Sequence, residues 1–158
     1  MNGVYAFRLI IPVYMEGRIL TFTTRDVTGQ LEPTYKSQPT DRAIIDAKRC
    51  LYNVDRARGD VGVVLEGCLD VWRIGDNAVG TFGTEYTQEQ VRILCKKFRK
   101  LYILFDDEDT AQGKARQLAW DCCSVIPKVE VLRIRGKKDP DSLTEDEAGW
   151  IRKELFGR

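Results

Sequence analysis

Hydrophobic and polar residues change their period along this chain. Tyr5, Phe7, Leu9 and Ile11 alternate with other residues as far as Pro12. After the turn Met15-Glu16-Gly17, a second alternating run extends from Arg18 to Thr24. Period two marks half-buried strands, so these runs predict an antiparallel pair, the first strand ending at Pro12. Residues 26–29 form a further turn, and residues 30–35 supply a third strand. Pro39-Thr40-Asp41 then caps a predicted helix over residues 42–51, with Ala43, Ile44, Ala47 and Leu51 as its apolar face.

From residue 61 the pattern alternates between continuous apolar runs and helical spacing. Val61-Gly62-Val63-Val64-Leu65 reads as a strand buried on both faces, and it stops at Glu66-Gly67. Cys68, Leu69, Val71 and Trp72 continue at helical spacing to about Ile74. A short strand over 77–80 follows. Thr87 and Gln90 form a capping box for a helix running to about Lys100, with Val91, Leu94, Cys95 and Phe98 on one face. Next come a strand over 101–105, a helix over 111–123 and a strand over 128–134 whose interleaved charges place it at a sheet edge. The last helix is capped by Thr144 and buries Ala148, Ile151 and Leu155. Repeated strand–helix order predicts a parallel sheet with right-handed crossovers. The expected fold is α/β. Residues 1–60 make a small antiparallel β/α segment, and residues 61–158 a mostly parallel sheet flanked by helices.

Acidic residues cluster after three of the predicted strands: Glu66 with Asp70, residues 106–109, and Asp139 with Asp141. In a parallel sheet all three emerge at one edge, where open α/β sheets bind ligands. Asp70 lies one helical turn beyond Glu66, on the face that looks back at it. One aspartate after a strand is commonly just a helix cap. Three converging clusters repel one another unless cations join them. Oxygen donors alone suit Mg²⁺ or Mn²⁺, and metal-assisted phosphoryl transfer is the matching chemistry.

Composition narrows the choice. The 158 residues, 43% hydrophobic and 31% charged, suit one domain with at most a small appendage. The chain has no histidine and no Cys-x-x-Cys pair, which argues against zinc and against Ser-His or Cys-His catalysis. Five cysteines, an odd number with Cys122 and Cys123 adjacent, do not suggest a disulfide framework, so a reducing cytoplasm is expected. No apolar run approaches a membrane span, and no membrane partner is expected. A net charge of +1 leaves nucleic-acid contact to local patches.

Glu66-Gly67…Asp70, then Ala78-Val79-Gly80-Thr81-Phe82-Gly83-Thr84, then Asp107-Glu108-Asp109-Thr110-Ala111, then Asp139-Pro140-Asp141 together resemble the Toprim domain of DnaG-type primases, topoisomerases and some nucleases. Upstream, Arg8 to Tyr14, Gly17 to Arg25, Pro33 to Pro39 and Leu51-Tyr52-Asn53 resemble the segment before Toprim in primase cores, especially phage-like ones.

The resemblance implies a Rossmann-like Toprim fold and roles by position. Glu66 is implied as general base or support for metal geometry, and Asp70 as the acid one turn later. Asp107 and Asp109 are implied as the Asp-x-Asp metal ligands, in a register set by Ala111 and Ala115. A one-residue shift would put Asp106 in that role instead. Asp139 and Asp141 complete a two-metal Mg²⁺ or Mn²⁺ site with Glu66. Arg25 and Lys36 are implied to hold nucleotide or template phosphates. Two departures stand out: Gln112 occupies the usual glycine position, and Thr34 that of a lysine, with Lys36 two places on.

The implied activity is a DNA primase catalytic core making RNA primers on single-stranded DNA from nucleoside triphosphates. Its expected partners are a replicative helicase or further primase domains. The zinc module and basic subdomain of a full primase are missing from this sequence, so a fragment or a much reduced enzyme is expected. A Toprim-type metal-dependent nuclease and a catalytically silent nucleic-acid-binding module are the alternatives.

Overall fold

A computed structural model describes residues 3–134, 136 and 139–157. It contains a three-stranded antiparallel sheet and a four-stranded parallel one. The first is β1 (Arg8–Met15), β2 (Arg18–Asp26) and β3 (Tyr35–Ser37), in that order. β1 runs through Pro12 instead of ending there. It is an edge strand, where only every other N–H faces a partner, so a missing donor is tolerated. The third strand begins at Tyr35, where the sequence pattern ended it. Asp26 explains the delay: its carboxylate accepts from the backbone N–H groups of Thr28, Gln30 and Leu31, tying residues 26–31 into a loop.

The helix expected over 42–51 is absent. Only a single 3₁₀ turn, Ala47–Arg49, forms there. Asp46 accepts hydrogen bonds from Thr40 Oγ1 and Lys48 N, which competes with a continuous helix. The Ile44 and Ile45 N–H groups bond instead to the Leu20 carbonyl, and Ile44 is left 76% exposed.

The parallel sheet has the order β5-β4-β6-β7, built from β4 (Val61–Leu65), β5 (Ala78–Gly80), β6 (Lys100–Ile103) and β7 (Lys128–Val131). Helices α1 (Cys68–Ile74), α2 (Gln88–Lys97), α3 (Asp109–Cys123) and α4 (Glu145–Phe156) cover it. The continuous apolar runs have a simple reason. Val64, Leu101 and Ile103 join Leu94, Phe98 and Leu118 on the α2/α3 face. Their neighbours Val63, Leu65, Tyr102 and Leu104 join Val71, Ile74 and Ala148 on the α1/α4 face. Each fully buried side chain of this size contributes about 1.5–3 kcal/mol, so this sheet carries most of the core. β7 lies at the edge, as its charges predict.

Residues 47–57 belong with this second core. Leu51, Val54 and Ala57 pack in the α2/α3 cluster, short of the division at residue 60 that the sequence pattern suggests. The two sheets are pinned together. Asp55 accepts from the N–H groups of Glu16 and Gly17 at 2.9 and 2.8 Å. Tyr52 bridges to Gly80 on the free edge of β5.

Candidate active site

A cavity of about 500 Å³ opens where the C-terminal ends of β4, β5 and β6 meet the inner face of the antiparallel sheet. Its walls include Glu66, Asp70, Asp106, Asp139 and Asp141 from one side, and Thr23, Arg25, Tyr35 and Ser37 from the other.

Glu66 caps β4. Its Oε1 accepts the Asp106 N–H at 3.0 Å, which ties the end of β4 to the end of β6. Burial pushes its carboxyl above the usual range, and the charges of Asp70 and Glu108 add to this. Asp70, 6% exposed, works as a strut. It accepts Gly67 N at 2.8 Å on Oδ2 and Asp141 N at 3.1 Å on Oδ1, joining the first acidic cluster to the third. Burial raises it to about 7.

Asp106 follows Phe105, and its Oδ1 is buried with no hydrogen-bond partner among the described residues. Burial, then Glu66, Asp139, Glu108 and Asp141, push it up to about 7. Asp139 caps the 3₁₀ turn Pro140–Ser142, accepting the Ser142 N–H. Asp141 is raised by burial and by Asp139, and is partly offset by Arg25, whose Nη1 lies 3.6 Å from it.

Asp107 and Asp109 stand apart from this set. Asp107 is ion-paired and hydrogen-bonded to Arg133, and Asp109, with its side chain fully exposed, lies 3.8 Å from the same guanidinium. Neither lines the cavity. The chain turns directly after Phe105, so the first aspartate beyond β6 faces inward and the second outward.

Parity separates the two basic residues. Arg25 pairs across the sheet with Tyr35 and faces the cavity, where its Nη1 donates to the Tyr35 hydroxyl at 2.8 Å. Lys36 pairs with Thr24, so it belongs to the opposite face. Its Nζ lies 6.0 Å from the Tyr5 ring centroid.

Sequence reasoning missed Lys48. Its Nζ donates to the carbonyls of Phe82 at 2.8 Å and Glu85 at 2.6 Å, and more weakly to Thr81. It thereby holds the loop after β5 against Glu66. Burial lowers its pKa, while Glu85, Asp46 and Glu66 oppose that shift. A helix over 42–51 would have left it as surface charge. Asp46-x-Lys48, a cap signal inside a supposed helix, was the available clue.

Among the described residues, no three cysteine or acidic side chains already stand at metal-ligand spacing. The donor set still fits a divalent cation. Asp106 presents a buried oxygen that none of the described residues partners, and its neighbours raise one another's proton affinity in the way that excess negative charge does. A cation would relieve both.

Residues 63–144 match a family model described as Toprim-like. The chain is similar to a DNA primase of Synechococcus elongatus, 29% identical over 96% of this chain and 24% of that protein. It thus spans about a quarter of the length of the curated relatives it matches. Among solved structures it resembles the zinc-binding and RNA polymerase domains of the Aquifex aeolicus primase, with a TM-score of 0.80 and 24% identity over 99% of this chain and 41% of that one. A DnaG primase catalytic domain bound to single-stranded DNA gives 0.77 and 23% identity over 94% of this chain and 51% of that one.

Proposed function

The chain belongs to the Toprim-like family, and on that premise we propose that it is the Toprim part of a DnaG-type primase catalytic core. In this reading it joins nucleoside triphosphates into RNA primers on a single-stranded DNA template, in a metal-dependent nucleotidyl transfer. The observation that carries it is the buried Asp106 Oδ1, unpartnered among the described residues, beside Glu66, Asp139 and Asp141.

Glu66, Asp106, Asp139 and Asp141 are assigned to hold Mg²⁺ or Mn²⁺. When bound, such ions neutralise triphosphate charge and activate the attacking 3′ oxygen. Asp106 thus takes the place in the second acidic motif that resemblance gave to Asp107. Asp70 positions the backbones of Gly67 and Asp141, and Arg25 holds phosphate oxygens from the opposite wall. Residues 1–60 and 61–158 act as a wall and a catalytic unit, with residues 47–57 of the first packed into the core of the second. The rest of a longer primase, a replicative helicase and a cytoplasmic setting complete the reading.

Mn²⁺ binding followed by electron paramagnetic resonance, with and without a nucleoside triphosphate, tests it. Nucleotide should tighten Mn²⁺ binding, and Asp106→Asn or Glu66→Gln should weaken it by at least about 100-fold. Asp107→Asn should stay within about threefold of the parent, as for an exposed ion pair. Loss in Asp107→Asn with retention in Asp106→Asn would restore the other register. An absence of Mn²⁺ binding in the parent chain would sink the catalytic reading.

A further inference from the structure

The loop after β5 holds an aromatic residue in a conformation that aromatic residues avoid. Phe82 has φ 61°, and Gly83 follows at φ 107°. For a bulky side chain, the left-handed region costs about 1–2 kcal/mol, and it persists only where the surroundings fix it. Here they do. The Phe82 carbonyl accepts from Lys48 Nζ at 2.8 Å. The next N–H, of Gly83, bonds to the Glu66 carbonyl at 2.9 Å. Thr81 Oγ1 donates to the Gly83 carbonyl at 2.8 Å and lies 3.1 Å from the Leu65 carbonyl. The backbone of Phe82 is thus clamped to the end of β4, next to Glu66.

Core packing does not account for the side chain. Phe82 belongs to neither hydrophobic cluster, and it lines the carboxylate cavity instead. Its ring is braced from behind. The Tyr52 ring sits 6.3 Å away at 72°, and the Tyr52 hydroxyl accepts the Trp72 Nε1–H at 2.6 Å. Tyr52 is itself bonded to Gly80 through both backbone groups, at 2.9 and 3.2 Å. The result is a rigid aromatic surface beside a charged centre, in a cavity of about 500 Å³, within the roughly 300–1,000 Å³ of small-molecule sites.

A ligand matching both halves carries phosphate at one end and an aromatic ring at the other. We propose that Phe82 is the stacking platform for the base of the nucleotide whose phosphates bind at the Asp106/Arg25 end of this cavity. The inference rests on the nucleotide-joining reading above. Every base has a π-face, so the contact accepts purines and pyrimidines alike and leaves the choice of base to template pairing.

The test compares nucleoside triphosphate with inorganic tripolyphosphate, which lacks the base, by equilibrium binding in the presence of Mn²⁺. Phe82→Ala and Phe82→Leu should each weaken nucleoside triphosphate binding by about 5- to 100-fold, leaving tripolyphosphate and Mn²⁺ binding unchanged. Leu keeps the apolar bulk without the π-face, so an equal loss in both variants separates stacking from packing. Phe82→Trp should restore binding, with indole fluorescence quenched on adding nucleotide. Equal weakening of both ligands, or no change in either, would overturn the stacking role while the nucleotide site stands. Failure of the unaltered chain to bind either ligand would overturn the underlying reading as well.

Discussion

In the parallel sheet the cavity-lining residues stand beyond the strands; in the antiparallel sheet they stand inside them. Glu66, Phe82 and Asp106 follow the ends of β4, β5 and β6, while Thr23, Arg25, Tyr35 and Ser37 are strand residues of one parity. The sheets also differ in burial. Val63, Val64 and Leu65 of β4 are 0% exposed, whereas Leu9 and Ile10 of β1 are 41% and 58% exposed. The parallel sheet is the stable scaffold, and its site residues depend on where each ladder stops and the chain turns. The antiparallel sheet is a wall hung on that scaffold, and its contribution depends on register, because a slip of one residue exchanges one face for the other.

Overpacking the scaffold gives the largest expected effect. Gly62 lies in β4 beneath Phe98, and a Cβ there would stand 2.4 Å from the Phe98 ring, which is itself 1% exposed. Gly62→Ala should cost about 1–3 kcal/mol, or about 3–10 °C in melting temperature. Ile10→Ala in β1 truncates a side chain that is 58% exposed, leaves no buried cavity, and should stay within about 0.5 kcal/mol. Urea and thermal melts of the two variants check the contrast. Equal losses would mean that the wall carries as much of the stability as the scaffold.

Parity supplies the next contrast. Arg25→Ala should weaken Mn²⁺–nucleotide binding by about tenfold, a change of about 1.4 kcal/mol. Lys36→Ala, on the other face, should change it by less than about twofold. Titration of both variants with a nucleoside triphosphate decides between them. Loss in Lys36→Ala alone would show that the opposite sheet face meets the nucleotide.

The same contrast explains what the sequence could and could not tell. β4, and β6 beyond Lys100, were legible because a strand buried on both faces is apolar along its buried length, and Glu66 was legible because it ends such a run. The choice between Asp106 and Asp107 was not. It depends on one backbone turn after Phe105, and both residues are aspartates, so no pattern of hydrophobicity marks the inward one. Alanine spacing in α3 favoured Asp107, yet the cavity takes Asp106. In the wall, Arg25 and Lys36 looked equivalent until the pairing Arg25–Tyr35 and Thr24–Lys36 fixed their faces. Residues 42–51 misled for a third reason. Ala43, Ile44, Ala47 and Leu51 have helical spacing, but Asp46, Thr40 and the Leu20 carbonyl offer that backbone other partners.

The carboxylates at the strand ends predict a pH dependence that the wall does not share. Asp70 and Asp106 are raised to about 7, chiefly by burial, from an ordinary value near 4. Between those values the folded protein keeps protons that the unfolded chain has released. Stability of the metal-free protein should therefore fall as pH rises from about 4 to about 7, and level off above. The chain has no histidine to titrate in that window. Asp26 and Asp46 of the wall are lowered by hydrogen bonds, so their contribution is complete near pH 4. With partial solvent screening, the expected fall is about 1–3 kcal/mol, or about 3–10 °C. Asp70→Asn should flatten part of the slope. Mg²⁺ competes with protons for the same oxygens, so it should raise the melting temperature at pH 8 and do little at pH 5. A metal-free protein that gains stability across this window would mean that these carboxylates are ionised in the fold at no cost. The strand ends would then be a solvated rim and not a site built for cations.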